Sequence, residues 1–146
     1  MRGYCGIGVE NLKIKVNLGT LWRSAYCLGA NFIFTIGKRY KKQSSDTHCT
    51  FRHIPLFQFE NKEEFWRSLP YDCFVIGVEI SDKAENIYKF IHPQRAIYCL
   101  GPEDGNLSFM EKCHKVIYIP SKFCLNVASA GTIVLYDRKL KEANGN

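Results

Sequence analysis

Ala96-Ile97-Tyr98-Cys99-Leu100-Gly101-Pro102-Glu103-Asp104-Gly105-Asn106-Leu107-Ser108 is the stretch on which the fold turns. Its first five residues form a continuous apolar run, as in strands buried on both faces of a parallel sheet. Two glycines and a proline follow, and they let backbone amides and carbonyls approach a ligand closely. Open parallel sheets bind ligands beyond the carboxyl ends of their strands, and this loop falls at such an end. A strand–helix connector of this kind is more often plain than functional, so its weight depends on its neighbours.

Those neighbours repeat the pattern. Phe32-Ile33-Phe34-Thr35-Ile36 is β-branched and aromatic and ends at Gly37; Cys73 to Val78 is a second continuous apolar run; Val116-Ile117-Tyr118-Ile119 is stopped by Pro120. Helical segments separate them: Asn61 caps a helix with Glu63 and Glu64 in its first turn. The segment 17–29 predicts another, with Asn17 as cap, Leu18, Leu21, Trp22, Ala25 and Leu28 as an apolar stripe, and Gly29 as stop. Arg23 lies off that stripe, on the side of Gly19, Thr20 and Cys27, so that amide and guanidinium are expected to project near the helix start. Alternating strands and helices predict an α/β fold with a parallel sheet. A third loop, Ile119-Pro120-Ser121-Lys122-Phe123-Cys124-Leu125-Asn126-Val127-Ala128, also leaves a strand and enters a helix.

Composition bounds the rest. The 146 residues predict one domain spanning 1–146, with no accessory RNA-binding domain, and 46% hydrophobic residues suffice for a core. No apolar run nears the roughly 18 residues of a membrane span, and the N-terminus lacks the apolar segment of a secretion signal. Seven cysteines, an odd number without a CxxC pair, predict free thiols in a reducing cytoplasm. With 20 Lys+Arg against 14 Asp+Glu the net charge is +6. Lys38, Arg39, Lys41, Lys42 and Arg52, interleaved with Tyr40 and Phe51 in a long irregular segment, form a candidate polyanion-binding loop. A charge run is also what a plain solvated face looks like. No metal site is expected, because His48-Cys49 with His53, and Cys113-His114, lack a second paired cluster. Gly6-Ile7-Gly8 fails as a dinucleotide loop, since Asn11 stands where its third glycine belongs.

Taken together, three segments resemble the three motifs of the SpoU–TrmH family of RNA ribose methyltransferases, in the SPOUT superfamily. They are Asn17-Leu18-Gly19-Thr20-Leu21-Trp22-Arg23-Ser24-Ala25 with Gly29-Ala30, then Leu100-Gly101-Pro102-Glu103 with Gly105 and Leu107, then Ile119-Pro120 with Leu125-Asn126-Val127-Ala128. The resemblance implies a SPOUT α/β-knot: a parallel sheet flanked by helices with a C-terminal deep trefoil knot, a rare exception to unthreaded chains. It implies a homodimer, S-adenosylmethionine as cofactor, and RNA, above all transfer RNA, as substrate. It also implies a C-terminal helix across Gly131-Thr132-Ile133-Val134-Leu135-Tyr136, against local strand propensity.

The catalytic residues implied are Arg23, Asn17, Glu103 and Asn126. A guanidinium with a pKa above about 12 is a poor general base. Arg23 is therefore expected to stabilise developing oxyanion charge and grip a phosphate, the final proton acceptor being open. Asn17 and Glu103 would orient Arg23 and the substrate; Asn126 would fix the third loop or contact the ribose. Val78, Gly101, Ile119, Cys124, Leu125 and Ala128 match cofactor-binding positions, used largely through backbone atoms. Cys124 departs from the family, which usually has serine there. The rival expectation is a catalytically idle SPOUT-fold RNA-binding protein.

Overall fold

Strand and helix alternate through the computed structural model, which describes residues 3–37 and 53–145. The elements are β1 (Tyr4–Glu10), α1 (Lys15–Cys27), β2 (Phe32–Ile36), β3 (Leu56–Phe59), α2 (Lys62–Arg67), β4 (Phe74–Val78), β5 (Glu85–Asn86), β6 (Arg95–Leu100), β7 (Lys115–Tyr118) and α3 (Val127–Ala143). The seven strands form one sheet in the order β3-β2-β1-β6-β4-β7-β5, and every pairing is parallel. The expected α/β architecture with a parallel sheet is thus present. Lys38, Arg39, Lys41, Lys42 and Arg52 lie outside the described residues.

Side-chain alternation along β6 shows how both sheet faces are covered. Ala96, Tyr98 and Leu100 join a core with Leu18, Leu21, Val134 and Leu135 from α1 and α3. Ile97 and Cys99 point the other way, into a core with Phe34, Phe65, Leu107 and Phe109. Successive residues of a strand face opposite sides, so a central strand with helices or loops on both must be apolar throughout.

One local expectation changes, that for Asn17, and the C-terminal helix that the resemblance implies is present. Helix α1 begins at Lys15 with Ile14 as its cap residue, so Asn17 lies inside the helix, buried, rather than at its cap. The reason is that its amino end is satisfied from elsewhere in the chain, as described below. Gly6-Ile7-Gly8 belongs to β1, a central strand. A Cβ at Gly6 would stand 2.3 Å from the Phe32 ring, and one at Gly8 2.2 Å from the Phe34 carbonyl oxygen, so both glycines admit neighbouring β2. Gly131 to Tyr136 is helical, within the 17 residues of α3. There Val134 and Leu135 are buried and Gly131 approaches Leu21 of α1, so packing overrides the β-branched propensity.

The strand order positions the candidate site. In a parallel sheet all carboxyl ends share one edge, and β1, β6, β4 and β7 are consecutive neighbours. The residues that follow them, Asn11, Gly101, Glu79 and Ile119, are therefore gathered along that edge.

Candidate active site

The loop after β6 is held from both sides by strand-end carboxylates. Glu10, closing β1, is 4% exposed; it accepts a hydrogen bond from Ser108 N at 2.7 Å and a second, short one from Ser108 Oγ. Glu79, just past β4, accepts from Leu107 N at 2.9 Å. Leu107 is buried beneath. A Cβ on Gly101 would come within 2.7 Å of Leu107 N and 2.9 Å of Glu79 Oε2, so the loop closes only over glycine. Neither carboxylate was expected from sequence. A signal did exist: Gly8-Val9-Glu10 and Gly77-Val78-Glu79 repeat one tripeptide at two strand ends.

From this loop Glu103 reaches the start of α1. Its carboxylate accepts from Lys13 N at 2.7 Å, Ile14 N at 3.1 Å and Asn17 Nδ2 at 3.0 Å. The amide of the cap residue Ile14 and the one before it are thus held by a residue 89 and 90 positions away rather than by a local side chain. Burial pulls the Glu103 carboxyl upward in pKa, but the Asn17 amide and the backbone amides outweigh it and hold it below the ordinary range.

The third loop joins the same chain of bonds. Asn126 caps α3, accepting from Ser129 N at 3.1 Å through Oδ1. Its Nδ2 is thereby free to donate to Asn17 Oδ1 at 3.0 Å. Asn17 Nδ2 in turn faces the carboxylate, so both amides have one consistent orientation. Asn17, Glu103 and Asn126 are therefore brought together, each from a different segment.

Arg23 is not brought to them within the chain. It lies six residues beyond Asn17, roughly 9 Å along the axis and turned by about 240°. Asn17, Leu18, Leu21 and Ala25 face the core, and Arg23 is exposed on the opposite side. Among the described residues it makes no hydrogen bond or ion pair. Of the remaining positions, Val78 and Ala128 are buried, with side chains committed to the core, and Gly101 is buried in its loop. Ile119 is half-buried, while Cys124 and Leu125 are exposed.

A cleft of about 490 Å³ opens at the other end of the sheet, lined by Cys5, Asn31, Leu135, Arg138 and Glu142 among others. Its guanidinium is already engaged by the Pro93 and Gln94 carbonyls, Tyr98 and Glu142. The geometry at the carboxyl edge, where three loops interlock, is the better candidate.

Comparison with known proteins gives the family and the fold. The family model described as SpoU rRNA Methylase family matches residues 5–136. Among solved structures, the SpoU methyltransferase AviRb from Streptomyces viridochromogenes superposes with a TM-score of 0.85 at 20% identity, covering 99% of this chain and 62% of that one. A second AviRb structure, with an equal TM-score of 0.85, is a complex with the cofactor AdoMet. The TrmH/SpoU tRNA modifying enzyme of A. aeolicus gives 0.85 at 19% identity, over 99% of this chain and 78% of that one. A structure described by the 2-OH methylation of C/U34 on tRNA gives 0.82 at 19% identity, over 98% and 93%. The chain thus spans about three fifths of AviRb's length. No curated protein sequence matches it.

Proposed function

The chain belongs to the SpoU rRNA methylase family, and from that premise we propose that it methylates a ribose 2′-hydroxyl of RNA, with S-adenosylmethionine as donor and transfer RNA as substrate. One observation carries the reading: the Glu103–Asn17–Asn126 chain of hydrogen bonds locks the three motif segments together. Support for the ribose and for transfer RNA comes from the neighbour described by 2-OH methylation on tRNA, of which this chain covers 93%.

The residues fit the donor. Beyond the carboxyl ends of β4 and β7, Ile80, Phe123 and Leu125 leave apolar side chains uncovered, as an adenine ring requires, with Phe123 84% exposed. Val78, Gly101, Ile119, Cys124, Leu125 and Ala128 would hold the cofactor, chiefly through backbone atoms. When bound, S-adenosylmethionine supplies an electrophilic methyl group on a sulfonium centre.

The chain's own residues supply alignment and charge. The hydrogen-bonded loops present a rigid floor, which favours reaction by proximity. Arg23 grips a phosphate and stabilises charge developing on the 2′-oxygen. Seven residues before it, Val16 is 65% exposed, and on α3 Tyr136 and Leu140 are uncovered as well. Positions seven apart share a helix face. The resemblance implies a homodimer, and a second copy of the chain covering the exposed face of α1 would bring Arg23 to an interface. Lys38, Arg39, Lys41, Lys42 and Arg52 contribute the positive charge that attracts RNA.

The test is methyl transfer from labelled S-adenosylmethionine to bulk transfer RNA, with calorimetry of cofactor binding alongside. Arg23→Ala is expected to abolish turnover and leave cofactor affinity nearly intact. Unchanged turnover would remove Arg23 from the mechanism.

A further inference from the structure

Tyr26 and His53 stack at the surface with ring centroids 4.4 Å apart and planes inclined by 12°. Tyr26 is 45% exposed and His53 is exposed too, so the pair contributes little to either core. The stack is not what holds its segment in place. Ile54, the next residue, is buried and its carbonyl accepts from Trp22 Nε1 at 3.1 Å; the Pro55 carbonyl accepts from Ile33 N at 3.0 Å. His53 is therefore delivered to Tyr26 by anchors on either element. What results is a pre-positioned aromatic surface.

Its surroundings point to an occupant. Tyr26 stands three residues after Arg23, and positions three apart on a helix are neighbours. His53 ends the segment 38–53, which contains five Lys or Arg residues and one acidic residue, Asp46. Rings next to a guanidinium, and continuous in sequence with a Lys- and Arg-rich segment, suit single-stranded RNA, whose unpaired bases stack on rings while cations track the phosphates. We propose that Tyr26 and His53 form a stacking platform for an unpaired base flanking the nucleotide presented to Arg23. This inference rests on the RNA-modifying reading above and deepens it: the substrate region would be a loop rather than a paired stem. Stacking tolerates any base, so the platform sets register along the strand more than sequence.

The experiment is a fluorescence-anisotropy titration of the full chain with a labelled single-stranded oligoribonucleotide carrying 2-aminopurine. Tyr26→Ala and His53→Ala are expected to weaken binding roughly tenfold, in line with loss of one stacked base. Tyr26→Phe, which keeps the ring, should bind within about twofold of the parent. Quenching of 2-aminopurine should disappear only in the alanine variants. Cofactor affinity should be equal in all of them. The proposal is overturned if Tyr26→Ala binds the oligoribonucleotide like the parent. It is equally overturned if weaker binding comes with altered sedimentation, which would make the ring a contact between copies. Failure of the underlying reading looks different: the parent chain would then bind no S-adenosylmethionine and transfer no methyl group, whatever its RNA affinity.

Discussion

Asn126 donates from Nδ2 to Oδ1 of Asn17 at 3.0 Å, and this bond joins residues 109 positions apart. Because Asn126 also caps α3, one side chain sets both the start of that helix and its tie to α1. Asn126→Ser keeps a cap but cannot span to Asn17, and is expected to cost about 1 kcal/mol, the net worth of one hydrogen bond. Asn126→Ala loses both and should cost about 2 kcal/mol. Urea unfolding of these variants, with and without Asn17→Ala, measures the coupling. Strict additivity of Asn126→Ser and Asn17→Ala would show that the bond contributes nothing.

Glu103 links stability to acid. Its pKa is lowered on folding, so the folded state favours the carboxylate. The stabilisation is complete above the unfolded value near 4.5 and is lost as pH falls through the lowered folded value. Glu103→Gln should melt below the parent at neutral pH, and the gap should close as pH falls through the lowered folded value. A gap that stays constant with pH would contradict the charge-based account.

His92 makes a link of the same sign, but through its neutral form rather than its charged one. Its Nε2 lies 2.8 Å from Asp137 Oδ2 and its Nδ1 2.6 Å from the Tyr98 hydroxyl, with Arg138 on Tyr98 and Lys141 on Asp137. Arg138 donates to the Tyr98 oxygen, so the Tyr98 hydroxyl donates to Nδ1 and the neutral ring keeps its proton on Nε2. Burial lowers the pKa despite the pull of Asp137. Stability should be full above the unfolded value of 6.5 and fall as pH drops from there through the lower folded value. Melting temperatures between pH 7.5 and 5 should fall in the parent and fall less in His92→Gln. Equal slopes would refute the assignment.

Glu10 holds Ser108 through both N and Oγ. Glu10→Gln retains an acceptor for the amide and a donor for the hydroxyl, and should be nearly neutral. Glu10→Leu strands a part-buried amide and should cost about 1–3 kcal/mol. Faster hydrogen exchange at residues 107 and 108 should accompany it; unchanged exchange there would mean that the loop is held by Glu79 alone.

The six described cysteines are free, and they divide by burial. Burial pushes the Cys5 and Cys99 thiols up, and Cys113 up to about 12. Cys27 and Cys124 are exposed. A thiol reagent should therefore modify Cys27 and Cys124 in the native chain and spare Cys5 and Cys99. S-adenosylmethionine should protect Cys124 but not Cys27. Equal protection of both, or of neither, would remove Cys124 from the proposed cofactor surface.

Much of this protein was legible along the chain. Runs such as Cys73 to Val78 announce buried parallel strands, because a strand covered on both faces can afford no polar side chain. Asn61 announces its helix, since a cap acts on its own neighbour, Glu64. The loops at Gly101 and Ile119 were marked by glycine and proline at strand ends. These are local signals, written within a few residues of their effect.

The site's wiring was not legible, because its partners are chosen by strand order. Asn17 reads as a helix cap in the sequence, but in the fold it lies inside α1 and donates to Glu103, 86 residues away. Glu10 and Glu79 stand at the ends of two separate strands, and only the insertion of β6 between β1 and β4 turns both upon one loop. The side of α1 that carries Arg23 followed from helical spacing, but which face meets Glu103 and Asn126 did not. Local propensity and apolar patterning determine the elements. Which carboxylate meets which amide depends on contacts spanning about a hundred residues, and those exist only once the sheet has closed around them.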